Sequence, residues 1–175
     1  MLLTLDLATR ICGWTCGEPA AISFTFGEKT FPPTGEDLGL FLVNYDQWLR
    51  SGIIARKVTE VCYEAPIMMG KGKTQLIILR KLYGIGSHTE FVCSQLGIEC
   101  TEANVTSVKK FTTNNGRADK PEMLAAIRQL GYDAKGFDEA DAIAVRLFAL
   151  HHKYPALVAK MKLDLGPLGA VARMS

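Results

Sequence analysis

The first apolar stretch of the chain surrounds an acid. Leu2, Leu3, Thr4, Leu5 and Leu7 flank Asp6 in a segment patterned as a short buried strand. A carboxylate among leucines is costly to bury unless something pairs with it, so any fold for this chain must bring a partner to Asp6. Two other places repeat the problem. Glu64 closes the apolar run Val61-Cys62-Tyr63, and Asp138 and Asp141 stand three apart beside Ala140, Ala142 and Ala144. On a helix that spacing puts both aspartates on one face, while Glu139 points about 100° away. The alanines keep such a helix slim enough to lie close to a sheet.

The surrounding pattern supplies both the helix and the sheet. Residues 2–7, 11–17 and 20–26 read as three strands of an antiparallel meander, with a turn at Gly17-Glu18-Pro19. Residues 36–54 place Leu38, Phe41, Leu42, Tyr45, Trp48 and Leu49 at helical spacing. A strand over 59–63 follows, then a long apolar helix over 74–96 with a potential bend at Gly84-Ile85-Gly86, and a strand over 98–103. Residues 104–111 suggest a short helix. Asp119 reads as the N-cap of another, with Pro121 in its first turn and Gly131 as its stop. A last strong helix covers 137–151. The order β-β-β-α-β-α-β-α-α-α implies an α/β fold, a mixed five-stranded sheet flanked by helices. Residues 1–153 form the expected domain, and 154–175, weakly patterned after Pro155, the expected surface tail.

Composition narrows the function classes. A chain of 175 residues fits one domain. Its net charge of +2 excludes a wholly basic, histone-like protein but leaves nucleic acid open, since the distribution of charge matters more than its sum. Five cysteines without a C-x-x-C pair argue against a disulfide framework and for a reducing compartment. Cys12 and Cys16 share one strand face and read as buried small hydrophobes rather than zinc ligands. No apolar run reaches the roughly 18 residues of a membrane span, and the N-terminus lacks a basic region typical of a signal peptide. There is no P-loop and no G-x-S-x-G.

Carboxylates gathered without matching bases repel one another. Divalent cations relieve this, and hard oxygen donors select Mg²⁺ or Mn²⁺. Two such ions suit phosphodiester hydrolysis. The structural alternative is that Asp6 caps a turn, Asp138 caps a helix and Glu64 merely ends a strand.

In order along the chain, Asp6 with Gly13-Trp14, then Tyr63-Glu64-Ala65-Pro66, then Asp138-x-x-Asp141-Ala142 resemble the RuvC-type Holliday junction resolvases over roughly residues 1–152. Leu7-Ala8 after the first aspartate, where cellular members usually carry Pro-Gly, resembles the phage-type relatives. The resemblance implies a ribonuclease-H-like fold and a homodimer that nicks four-way DNA junctions symmetrically. It implies two Mg²⁺ or Mn²⁺ ions per subunit on Asp6, Glu64, Asp138 and Asp141, and a cytoplasmic setting in a bacterium or a phage-infected cell. An RNA-processing nuclease of the same fold and a non-catalytic DNA-binding scaffold are the alternatives. Actin-like and sugar-kinase ATPases share the D-x-x-T pattern of Asp6 to Thr9 but need about twice this length.

DNA contacts are expected from two basic stretches. One carries Lys71, Lys73, Arg80 and Lys81, the other Lys109, Lys110, Arg117 and Lys120. The resemblance adds a catalytic role for Lys120, beside the metals. Ile67, Met68 and Met69, directly after Glu64-Ala65-Pro66, form a candidate wedge at a junction centre; the alternative is that they begin the core of the next helix.

Overall fold

A computed structural model describes residues 1–21, 23–66 and 76–164. Three strands form the meander, β1 (Leu2–Asp6), β2 (Ile11–Gly17) and β3 (Thr25–Thr30). Helix α1 (Leu38–Ala55), strand β4 (Glu60–Glu64), helix α2 (Leu76–Leu96) and strand β5 (Glu99–Ala103) follow. Four helices complete the chain, α3 (Val105–Thr113), α4 (Lys120–Gln129), α5 (Phe137–Lys153) and α6 (Pro155–Asp164). The strands lie in the order β3-β2-β1-β4-β5. The β1–β2 and β2–β3 pairs are antiparallel, and β1–β4 and β4–β5 are parallel.

Side-chain alternation along the strands divides the interior in two. Leu3, Leu5, Cys12, Cys16, Val61 and Tyr63 face α1 and α2, where Phe41, Tyr45, Leu49 and Ile53 recur every fourth residue. The buried Tyr45 hydroxyl bonds Thr89 Oγ1 at 2.7 Å and ties the two helices together. Leu2, Cys62 and Ala103 face the other way, against α4 and α5, with Met123, Ile127, Ala140, Ile143 and Ala144. Asp6 and Glu64 belong to this second face by the same alternation.

Helix α5 lies very close to the sheet. Thr4 Oγ1 donates to the Ala142 carbonyl at 3.0 Å. That uses its only proton, so Thr15 donates to Thr4 across 2.6 Å. At Gly13, a Cβ would stand 1.8 Å from the Asp138 carbonyl oxygen and 3.1 Å from Ala142 Cβ. Further along α5, the buried Arg146 donates to the carbonyls of Leu2, Gly17 and Glu18 and lies over the Phe24 ring.

Four features differ from the sequence expectation. The third strand lies at Thr25–Thr30 rather than 20–26. It is an edge strand with one flank open, so it is polar. Lys81 is not on a basic face. It is buried, donating to Thr34 Oγ1 at 2.8 Å and the Gly35 carbonyl at 2.7 Å. Residues 155–164 are helical, with Val158 and Tyr154 reaching the core beside α5. Helix α2 runs unbroken through Gly84 and Gly86.

The close approach makes a prediction. Gly13→Ala sets a methyl against backbone, where no rotamer change relieves it, and should cost at least about 1–3 kcal/mol in urea unfolding. Gly27→Ala, whose Cβ meets only the Trp14 ring at 3.3 Å or more, should cost much less. Equal stabilities for wild type and Gly13→Ala would contradict the geometry.

Candidate metal centre

Parallel pairing sets the first half of the site. Leu5 lies opposite Tyr63, so the next residues, Asp6 and Glu64, are level on adjacent strands about 4.8 Å apart and face α5 together. The docking of α5 sets the second half. Its first two turns cross the end of β1 and bring Asp138 and Asp141 over Asp6. One carboxylate oxygen from each of these three residues lies within 4.8 Å of the others. Glu64 flanks this trio and interacts electrostatically with Asp6 and Asp141.

Proton affinity records the crowding. Burial, then the charges of Glu64, Asp141 and Asp138, hold the Asp6 carboxyl well above the usual range. Burial and the Asp141 charge push Glu64 up to about 7, against Lys109 and Lys120. Burial raises Asp141 to about 6, with Lys120 opposing and Asp138 adding to the rise. Acids held this way fit a divalent cation: the donors are hard oxygens, close together, and under-neutralised by the protein's own bases.

Two lysines border the acids. Lys120 Nζ donates to Asp138 Oδ1 at 2.8 Å and lies 3.9 Å from Asp141 Oδ2. Partial burial disfavours its charge, but the bond to Asp138 and the charges of Asp138, Asp141 and Asp6 raise its pKa overall. Its position follows from the capping box of α4, in which the Asp119 side chain accepts from Glu122 N while the Glu122 side chain accepts from Asp119 N. Lys109 Nζ donates to the Ala118 carbonyl at 2.7 Å and lowers the proton affinity of Glu64 and Asp141. Lys110 and Arg117 are exposed, on α3 and the loop after it. Ile67, Met68, Met69, Lys71 and Lys73 lie outside the described residues.

One acid went unnoticed in the sequence. Glu28 on β3 pairs with Gly13 and sits beside the start of α5, where burial and the charges of Asp138 and Glu139 raise its pKa. With the third strand expected at 20–26, Glu28 fell beyond its end and carried no signal.

No protein-family model matches the sequence, and no curated protein matches it. Solved structures do resemble the fold. Thermus thermophilus RuvC aligns with a TM-score of 0.62 at 14% identity, covering 87% of this chain and 95% of that one. T. thermophilus RuvC in complex with Holliday junction substrate aligns at 0.67 and 13%, covering 87% and 96%. The chain has the RuvC fold. The yeast mitochondrial Holliday junction resolvase Ydc2 aligns at 0.50 and 9%, covering 90% of this chain and 85% of that one. The sheet order, with helices on both faces, is the mixed ribonuclease-H-like architecture expected from the sequence.

In a RuvC fold with this acid cluster, stability should depend on pH and cation together. Folded Glu64 and Asp141 hold protons more tightly than exposed carboxyls, so the cation-free protein loses stability as pH rises from about 4 to about 7. A divalent cation takes the place of those protons. Adding Mn²⁺ should therefore raise Tm more at about pH 8 than at about pH 5.5. Asp141→Asn should raise the cation-free Tm at the higher pH and shrink the Mn²⁺ effect. The same Mn²⁺ effect at both pH values would contradict the assignment.

Proposed function

We propose that this chain is a divalent-metal-dependent endonuclease that cuts branched DNA, four-way junctions foremost, as a homodimer. The observation that carries the reading is the convergence of Asp6, Asp138 and Asp141 within 4.8 Å, flanked by Glu64 and faced by Lys120. The fold supports it, being shared with a protein solved on a Holliday junction.

Asp6, Glu64, Asp138 and Asp141 would hold two Mg²⁺ or Mn²⁺ ions. Such a pair supplies an activated water and charge stabilisation for both the attacking and leaving oxygens of a phosphodiester. The chain's own residues prepare the site. The β1–β4 register and the α5 docking fix the acids before any ligand arrives, so little rearrangement accompanies binding. Lys120, more than half exposed at its side chain, is placed to transfer its ammonium from Asp138 to a phosphate oxygen once cations neutralise the carboxylates. Lys109 tempers the charge of Glu64 and Asp141 from the other side. We assign backbone phosphates of an arm of the DNA to the exposed Lys110 and Arg117, and the same role to Lys71 and Lys73. Ile67, Met68 and Met69 begin three residues after Glu64 and would enter an opened junction centre as a wedge.

Paired nicks need two such sites. Exposed Leu76, Tyr83 and Phe91 fall on one face of α2, which packs on the side of the sheet opposite α5. We assign the dimer contact to that face.

The test is cleavage of end-labelled four-way, three-way, flap and linear DNA in Mg²⁺. Wild type should cut the four-way junction in preference. Asp6→Asn should cut more than about a hundredfold slower, beyond the loss typical of changes behind a metal ligand, while still binding the junction. Lys120→Ala should slow cutting about a hundredfold without changing the order of substrates. Wild-type turnover by Asp6→Asn would place the chemistry elsewhere. Preferred cutting of structured RNA would favour an RNA-processing nuclease, and binding without cutting a scaffold.

A further inference from the structure

We infer that residues 170–175 lie along the free edge of β5 as a sixth strand, with alternate side chains in the cleft between that edge and α5. The inference goes beyond the nuclease reading and does not depend on it.

The sheet is open on this side. β5 is the last strand in the order β3-β2-β1-β4-β5. The Ala103 carbonyl accepts from Ala65 N at 2.8 Å. Alternation along the parallel ladder therefore turns the backbone groups of Glu99, Thr101 and Ala103 towards β4, and those of Cys100 and Glu102 outward. Among the described residues, no loop or helix backbone bonds to either. Unpaired N–H and C=O groups on an edge are a template for another strand. Beside the edge lies a cleft of about 340 Å³. It exists because α5 rests mainly on β1 and β2 and leaves β4 and β5 less covered. Leu2, Cys62 and Ala103 from the sheet and Phe148 and Ala149 from α5 give it an apolar lining. A strand added about 4.8 Å beyond β5 would direct every second side chain to that face.

Charge selects the occupant. Glu60 and Glu99 share Lys153, whose Nζ lies 2.8 Å from Glu60 Oε2 and 2.5 Å from Glu99 Oε2. Glu102, also exposed, points to the other face of the same strand. Three acids against one lysine repel the phosphates of DNA and favour a segment with positive charge. Residues 165–175, Leu-Gly-Pro-Leu-Gly-Ala-Val-Ala-Arg-Met-Ser, carry Arg173 and no acidic side chain. Gly166, Pro167 and Gly169 are turn formers, and the residues after them, 170–175, include neither glycine nor proline. Val171 and Arg173 share one side of such a strand. With that side on the cleft, Val171 meets the apolar lining and the Arg173 guanidinium meets Glu99.

The length of the chain allows the return. Helix α6 runs from Pro155, next to Tyr154 in the cleft wall, to Asp164, a distance of about 15 Å. An extended chain covers about 3.3 Å per residue. About five residues therefore bring it back to the cleft whatever the direction of α6, and about six remain to lie beside β5, which has five. Attachment to α6 makes the pairing intramolecular, so contacts too weak to hold a free peptide below roughly millimolar concentration suffice.

Amide exchange at Cys100 and Glu102 tests the inference. It is measured on wild type, on full-length Arg173→Glu, and on the chain ended at Asp164, which keeps every residue of both cores. Both variants should exchange at these two amides about tenfold faster than wild type, the effect of losing one or two edge hydrogen bonds, with Leu5 on β1 unchanged. Adding a peptide of residues 165–175 at roughly millimolar concentration to the shortened chain should restore slow exchange. Equal rates at Cys100 and Glu102 in wild type and the shortened chain would overturn the inference. So would an equal acceleration at Leu5, which would signal a loss of global stability rather than of one strand. Protection that survives the shortening and grows with protein concentration would give the edge to a second copy of the chain, and would overturn it as well.

Discussion

Everything at the candidate site depends on how closely α5 approaches the sheet. Helices usually rest on strands through intervening side chains, but here the Asp138 carbonyl occupies the space of the missing Gly13 side chain. The hydroxyl relay from Thr15 through Thr4 to the Ala142 carbonyl satisfies polar groups that the contact buries. Ala140, Ala142 and Ala144 keep the helix surface low, and all three are fully buried. A bulkier residue at Ala142, whose Cβ faces Gly13, would lift α5 and carry Asp138 and Asp141 away from Asp6.

Packing of this kind brings together groups that oppose one another. Burial and mutual repulsion both act against ionisation of Asp6, Glu64 and Asp141. Lys120 and Lys109 offset only part of that opposition. The rest of the fold holds the arrangement by unrelated means: two apolar cores, the parallel β1–β4–β5 ladder, and the buried Arg146 that ties α5 to the start of β1 and the end of β2. Stability is thereby given up at one end of the sheet, where a cation can return it, a common arrangement at functional sites.

Much of this was legible in the sequence, for identifiable reasons. Asp6 and Glu64 were visible because acids inside apolar strands break a simple pattern. Asp138 and Asp141 were visible through helical spacing, and Asp119 through a capping signature with Pro121 and Glu122 behind it. Lys120 followed from that cap. The third strand was not legible, because an edge strand such as Thr-Phe-Gly-Glu-Lys-Thr carries too little apolar signal to outweigh the stretch before it. With the strand misplaced, Glu28 was lost too, since its meaning lies in a register opposite Gly13. Lys81 misled for a related reason: its neutral acceptors, Thr34 and the Gly35 carbonyl, lie 47 and 46 residues away in sequence, and no local pattern announces them.

The central claim is that four acids from two parallel strands and one helix form a single cation-binding centre. Anomalous diffraction from crystals soaked in Mn²⁺ tests it most directly. The account predicts two strong manganese peaks per chain about 3.5–4 Å apart, bounded by Asp6, Glu64, Asp138 and Asp141, with Lys120 turned away from Asp138. Manganese bound elsewhere, or no peak beside Asp6 at saturating concentration with Lys120 still on Asp138, would contradict it.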